Sequence, residues 1–200
     1  MLEKPAATSV AIADVIARRW SPVALDPHRP VSHDQLLALL EAARWAPSCF
    51  GDEPWRYLVW DRFTDAAGWQ QAFECLAEGN QIWVKNAPVL LLSVAMANFG
   101  HNNKPNRWAQ HDTGAASENL CLQATALGLA AHQMGGFDPE QAKAAFNIPA
   151  DHTCMAMIAV GYPGAANTLS EALQVREQAP RQRKPLAQIA FAGVWGQGIA

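Results

Sequence analysis

Apolar residues recur at helical spacing in several separate stretches of the chain. From Ser9, the positions Ile12, Val15 and Ile16 carry a first helix to Arg18-Arg19, where Trp20-Ser21-Pro22 breaks it. Ser32, with Gln35 three residues later, forms a capping-box pattern that opens a second helix. Its buried stripe is Leu36, Leu39, Leu40 and Ala43, and Pro47 ends it. Thr64 is placed to cap a third helix carrying Trp69, Ala72, Phe73 and Leu76. Over residues 108–127, small and apolar side chains wrap most of the circumference, which predicts a central, buried helix stopped by Gly128. Asp138-Pro139 is a cap followed by proline at the first helical position, opening a helix to about Phe146. Residues 56–60, 130–134 and 153–160 read as strands. The continuous apolar run over 88–95 reads as a strand covered on both faces. Residues 98–107 form a polar loop. After Gly161-Tyr162-Pro163 the chain turns polar and extended, and residues 164–200 read as an extension that wraps another subunit. No repeat or linker divides the chain, so residues 1–200 are expected to form one domain.

Composition narrows the function classes. Half of the residues are hydrophobic, enough for a substantial core, and the formal charge is −3, which gives no general field for nucleic acid. No apolar stretch has the length of a membrane span, and the first residues lack a secretory pattern. The four cysteines are widely spaced, without C-x-x-C, as expected of free thiols in a reducing cytoplasm. The eight tryptophans suit core and interface filling, and some can line an aromatic cavity.

The most distinctive motif is Pro47-Ser48-Cys49-Phe50-Gly51-Asp52-Glu53-Pro54-Trp55, between the second helix and the first strand. Two prolines bracket small and polar residues, leaving backbone N–H groups free. This is either a tight connection or a wall for a flat polar ligand. The basic groups Arg18-Arg19 and Arg181-Gln182-Arg183-Lys184 are each readable as solvated surface, or together as a clamp on one phosphate. Gly135-Gly136 is either a turn requiring positive φ or a point where backbone approaches a ligand closely. No phosphate loop and no Rossmann glycine fingerprint occurs. His101 and His111 have no carboxylate or cysteine at ligand spacing, so no metal is expected. Asp112 suits a helix start, and Cys49 lacks a partnered histidine in its sequence context.

These pieces together resemble the FMN-dependent nitroreductase family, in its Arg-Trp-Ser-Pro-type branch. The resemblance runs through Arg19-Trp20-Ser21-Pro22, the stretch from Pro30-Val31-Ser32 to Ala46-Pro47-Ser48, and Glu53-Pro54-Trp55-Arg56. It continues through Gly135-Gly136-Phe137, Gly161-Tyr162-Pro163 and Arg183-Lys184-Pro185-Leu186, in family order over nearly the whole chain. It implies an α+β fold, with a central, mainly antiparallel sheet wrapped by helices in an intertwined homodimer with exchanged terminal segments. It implies that Arg19, Trp20 and Ser21 contact the FMN phosphate and ribityl chain, and that Arg181 and Arg183 complete the phosphate site. Pro47, Ser48 and Cys49 would pass beside the flavin from the partner subunit, and Met134, Gly135 and Gly136 would present a backbone N–H to its N5 edge. The implied activity is ping-pong transfer of electrons from NADH or NADPH through FMN to a small nitroaromatic, quinone or enone-like acceptor. The chemistry would lie at the flavin, with no catalytic side chain. The alternatives are an oxygen-using or dehalogenating branch enzyme and a non-catalytic flavin-binding dimer. The chain departs from the family pattern at Gly51, where asparagine is common, at Glu53, where glutamine is common, and at Val23, where a second basic residue is frequent.

Overall fold

The computed structural model describes residues 2–199. Its centre is a four-stranded, fully antiparallel sheet of β1 (Trp55–Asp61), β2 (Val89–Ala95), β3 (Ala130–Met134) and β4 (Thr153–Gly161), in the order β1-β2-β4-β3. All seven residues of β2 are buried, because its two faces pack against different helical layers. Val89 and Leu91, with Ile158 and Val160 of β4, meet Leu39 and Ala43 of α2 (His33–Arg44) and Leu120 and Ala124 of α5 (Ala109–Ala126). Leu90 and Leu92, with Met157 and Ala159, meet Trp69 and Ala72 of α3 (Ala66–Glu74) and Trp83 of α4 (Glu78–Val84). Strand side chains alternate between faces, so a continuous apolar run is what two covered faces require.

The local signals act as read. Ser32 Oγ accepts the Gln35 N–H at 3.2 Å, and Gln35 Oε1 accepts the Ser32 N–H at 3.0 Å, closing the capping box. Asp138 caps α6 (Pro139–Phe146), and Gly128 follows α5 with φ +72°. The long α5 buries residues on most sides, Asp112, Thr113, Ser117 and Cys121 among them.

Several boundaries differ from expectation. The first helix, α1, spans only Asp14–Arg18. Val10 and Ile12 stay exposed, and an apolar stripe with nothing packed on it does not hold a short helix. Asp65, not Thr64, caps α3: its carboxylate accepts the Gly68 N–H at 2.9 Å, while Thr64 Oγ1 turns back to the Asp61 carbonyl at 3.5 Å. The short α4 was not foreseen, nor was α7 (Glu171–Gln178) in the segment expected to be extended. The only buried residue of α7 is Glu177, so no apolar stripe marks the helix in the sequence. Beyond it, a turn over Leu186–Gln188 and a bridge from Phe191 to Gly198 leave Ile189 and Trp195 exposed. Among the described residues, no helix is long and apolar enough to cross a membrane.

Candidate functional site

Where α1 ends, the chain leaves the helix in extended conformation at Arg19 and enters the core at Val23, Ala24 and Leu25. The turn between opens one side of a polar cavity of about 310 Å³. Lys4, Arg19, Trp20 and Ser21 line it from one side, and Arg176, Glu177, Arg181 and Arg183 from the other. Five of the expected residues therefore meet in one place. The cluster is ordered from within. Arg181 Nη1 donates to the carbonyls of Lys4 and Ala17 at 2.7 and 2.8 Å, and Arg19 Nε pairs with Glu118 Oε1 at 3.1 Å. Lys4 Nζ sits 4.5 Å above the Trp20 ring and donates to the Glu177 carbonyl at 2.7 Å. Arg183 bonds only its neighbour's carbonyl, Gln182 O, at 2.8 Å and is exposed. Burial, and then the charges of Arg19 and Arg183, push the Arg181 pKa down, yet a guanidinium stays cationic at ordinary pH. Five cations and the carboxylate of Glu177 line this cavity, which gives it a positive character.

Beneath this cavity lies a buried polar pair. His132 Nδ1 donates to the Pro22 carbonyl at 2.8 Å, and its ring tilts over Trp83 with centroids 4.6 Å apart. Burial lowers the His132 pKa, so the ring is neutral. Glu177 accepts the N–H groups of Val23 and Ala24 at 2.9 and 3.3 Å.

The Pro47–Trp55 loop is a separate structure. Phe50, Gly51 and Glu53 have φ of +57°, +65° and +50°. Gly51 thus occupies a left-handed position, where asparagine is among the better-tolerated alternatives. Buried carboxylates hold the loop. Asp112 Oδ2 accepts the Cys49 N–H at 2.9 Å, and Asp52 accepts the Gly100 N–H at 2.8 Å and Asn106 Nδ2 at 3.2 Å. Ser48 Oγ accepts the Glu53 N–H at 3.0 Å. The rings of Phe50, Phe99 and His101 cluster with centroids 5.3 to 5.9 Å apart, and Phe50 is 84% exposed. Both histidines do find carboxylates, contrary to expectation: His111 Nδ1 lies 3.0 Å from Asp112 and His101 Nδ1 lies 3.8 Å from Asp52. No group of three His, Cys, Asp or Glu side chains able to hold a metal occurs among the described residues.

Met134 ends β3, and Gly135-Gly136 follow it. Neither glycine has positive φ, so that reading of the pair is set aside. A Cβ on Gly136 would lie 2.7 Å from Asn80 Nδ2, so a larger residue there would displace the Asn80 side chain. The Gly136 carbonyl accepts from Asn80 Nδ2 at 2.9 Å and from the Ala77 N–H at 3.0 Å, which fixes the turn against the start of α4. Pro47, Ser48, Cys49, Met134, Gly135 and Gly136 are absent from the lining of the arginine cavity. Asp52, Asp112, His132 and Glu177 were not anticipated as contributors. Each acts by gripping main chain while buried, a role with no signature in local sequence. The four cysteines are free thiols, and burial pushes the Cys121 pKa up to about 12 and raises those of Cys75 and Cys154.

The fold and the cavity define an α+β protein with a cationic corner beside a central antiparallel sheet. The model of the nitroreductase family matches residues 16–162, and the chain belongs to that family. A solved structure described as an oxidoreductase containing FMN is 34% identical, covers 96% of both chains and superposes with a TM-score of 0.89. An uncharacterized 15.4 kDa protein of Mycolicibacterium smegmatis is 38% identical over 70% of this chain and 88% of its own. An NADH dehydrogenase of Thermus thermophilus is 28% identical over 81% of this chain and 86% of its own. The nitroreductase-like fold is thus as expected.

Proposed function

We propose that the chain is an FMN-dependent oxidoreductase that carries electrons from NADH or NADPH to a small organic acceptor such as a nitroaromatic, a quinone or an enone. The observation that carries this reading is the convergence of Arg19, Arg181 and Arg183, with Lys4 and Arg176, on one cavity in a chain of this family. The donor set fits the group. A phosphate monoester bears about two negative charges at neutral pH and accepts the planar fork of arginine through two oxygens. The exposed Ser21 and the half-buried Trp20 stand beside the arginines, where a polyol chain would leave the phosphate. When bound, FMN supplies the electron chemistry, taking hydride from a nicotinamide and passing electrons to an acceptor in the same place, hence by a ping-pong cycle.

The chain's own tasks are holding and orienting. Arg19, Arg181 and Arg183 hold the phosphate. The Met134-Gly135-Gly136 turn, pinned through the Gly136 carbonyl, and the Pro47-Ser48-Cys49 loop, pinned through the Cys49 N–H, flank the ring. These two walls do not line the arginine cavity of the same chain, which favours a homodimer in which the segment after residue 164 of one single-domain subunit wraps the other. No acid, base or nucleophile is required of the chain, in keeping with thiols whose pKa values burial raises. Free cysteines and the absence of a membrane-spanning helix among the described residues suit a cytoplasmic enzyme of small molecules.

The purified protein, loaded with FMN, is expected to be yellow, to bleach anaerobically with NADH or NADPH, and to give parallel double-reciprocal lines with a quinone acceptor. A protein that takes up no FMN overturns the reading. FMN uptake without NAD(P)H oxidation removes the activity and leaves a binding protein.

A further inference from the structure

The Pro22–Val23 peptide follows directly on the Arg19-Trp20-Ser21 segment, and it is gripped at both ends. Its carbonyl accepts from His132 Nδ1 at 2.8 Å, and its N–H donates to Glu177 Oε2 at 2.9 Å. The second Glu177 oxygen accepts the next N–H, that of Ala24, at 3.3 Å. The two gripping side chains come from β3 and α7, elements far apart in sequence, and are 9% and 4% exposed. Glu177 is surrounded by Lys4, Arg176 and Arg181 in the cavity lining, and the cheapest use of a carboxylate there would be an ion pair. Instead both of its oxygens turn to main chain. Glu177 therefore makes no ion pair with these cations, while its hydrogen bonds set the backbone that carries Arg19 and Ser21. Together with Leu173, which packs against the core from the same helix, this contact seats α7, which carries Arg176 and leads to Arg181 and Arg183.

We propose that Glu177 and His132 are positioning residues of the phosphate site. They clamp one peptide from both sides, and so fix the direction in which the Arg19-Trp20-Ser21 segment meets the arginines from beyond α7. This rests on the reading of the cavity as the seat of the FMN phosphate. A phosphate held by several donors at hydrogen-bond distance is sensitive to small shifts of any one donor segment.

The test compares FMN with riboflavin, which has the same ring and ribityl chain and no phosphate, by flavin fluorescence titration of the full chain. Wild-type protein is expected to bind FMN more tightly. Glu177→Gln, nearly isosteric, turns an acceptor into a donor facing an N–H. It should raise the Kd for FMN about tenfold and that for riboflavin, which meets the segment only through its ribityl chain, by no more than about threefold. Equal losses for both ligands mean a merely structural role and overturn the proposal. Tighter FMN binding in Glu177→Gln, the result of removing a negative charge near a phosphate and nothing more, overturns it as well. If Glu177→Gln does not fold, Glu177→Asp and His132→Gln are titrated in the same way and judged by the same outcomes. A wild-type protein that binds both flavins but does not distinguish them defeats the phosphate reading itself, and this proposal with it. That failure is separate from one in which only the variants behave otherwise.

Discussion

The anion cavity and the Pro47–Trp55 loop use one device under opposite conditions. In each, buried carboxylates accept main-chain N–H groups: Glu177 those of Val23 and Ala24, Asp112 that of Cys49, and Asp52 that of Gly100. At the cavity, the strain is electrostatic. The positive φ angles of the chain lie elsewhere, and five like charges crowd one space. At the loop, the strain is conformational. Phe50 and Glu53, neither of them glycine, are held in left-handed geometry at a cost of about 1–2 kcal/mol each. The first kind of strain is relieved by a ligand of opposite charge. The second is not relieved by any anion, and it turns the aromatic ring of Phe50 outward into solvent.

The sharpest break in this comparison is expected from Arg181→Ala. It removes a cation from the cavity and frees the carbonyls of Lys4 and Ala17. FMN affinity should fall about 100-fold, or about 2.7 kcal/mol, by fluorescence titration, against about tenfold for Arg183→Ala, whose side chain bonds only its neighbour. Equal effects of the two would show that the internal bonds of Arg181 add nothing. Asp112→Ala should act on the other region alone. Leaving the buried Cys49 contact without its acceptor costs about 2 kcal/mol, which lowers Tm by roughly 4–8 °C in a thermal melt. Preference for FMN over riboflavin should survive. A stability loss under about 0.5 kcal/mol would mean that the loop holds itself. The smallest effect, of opposite sign, is expected from Phe50→Gly. Glycine adopts the left-handed geometry at no steric cost, and stability should rise by about 0.5 kcal/mol in urea unfolding, after allowing for the chain entropy glycine adds. A loss of stability would show that the Phe50 contacts with Phe99 and His101 outweigh the strain.

Elements whose signals are local were legible in sequence. The Ser32–Gln35 box, the Asp138-Pro139 start, the Gly128 stop and the apolar runs of β2 and β4 depend on spacing within a few residues, and they form as read. The helix α7 is not legible, because its core contacts are the buried Glu177 and the half-buried Leu173, too few for a hydrophobic stripe. The same physics divides the site. Arg19, Arg181 and Arg183 stand out as charges readable together as a phosphate clamp, and the resemblance gives each its place on FMN. Glu177, His132, Asp52 and Asp112 serve the backbone from within the core, and a residue that bonds to main chain distant in sequence leaves no pattern nearby. Of the two readings of Gly135-Gly136, the structure removes the one that needs positive φ, and the Asn80 side chain lies close to Gly136.

The cavity also sets an order of events. Its lining joins residues 4–23 to residues 176–183, with every strand of the sheet between them in sequence. The last guanidinium of the cavity is therefore made after every strand of the sheet. Arg176, Arg181 and Arg183 lie beyond the family-defining stretch over residues 16–162, so that stretch carries the sheet and its hydrophobic layers but only one wall of the cavity.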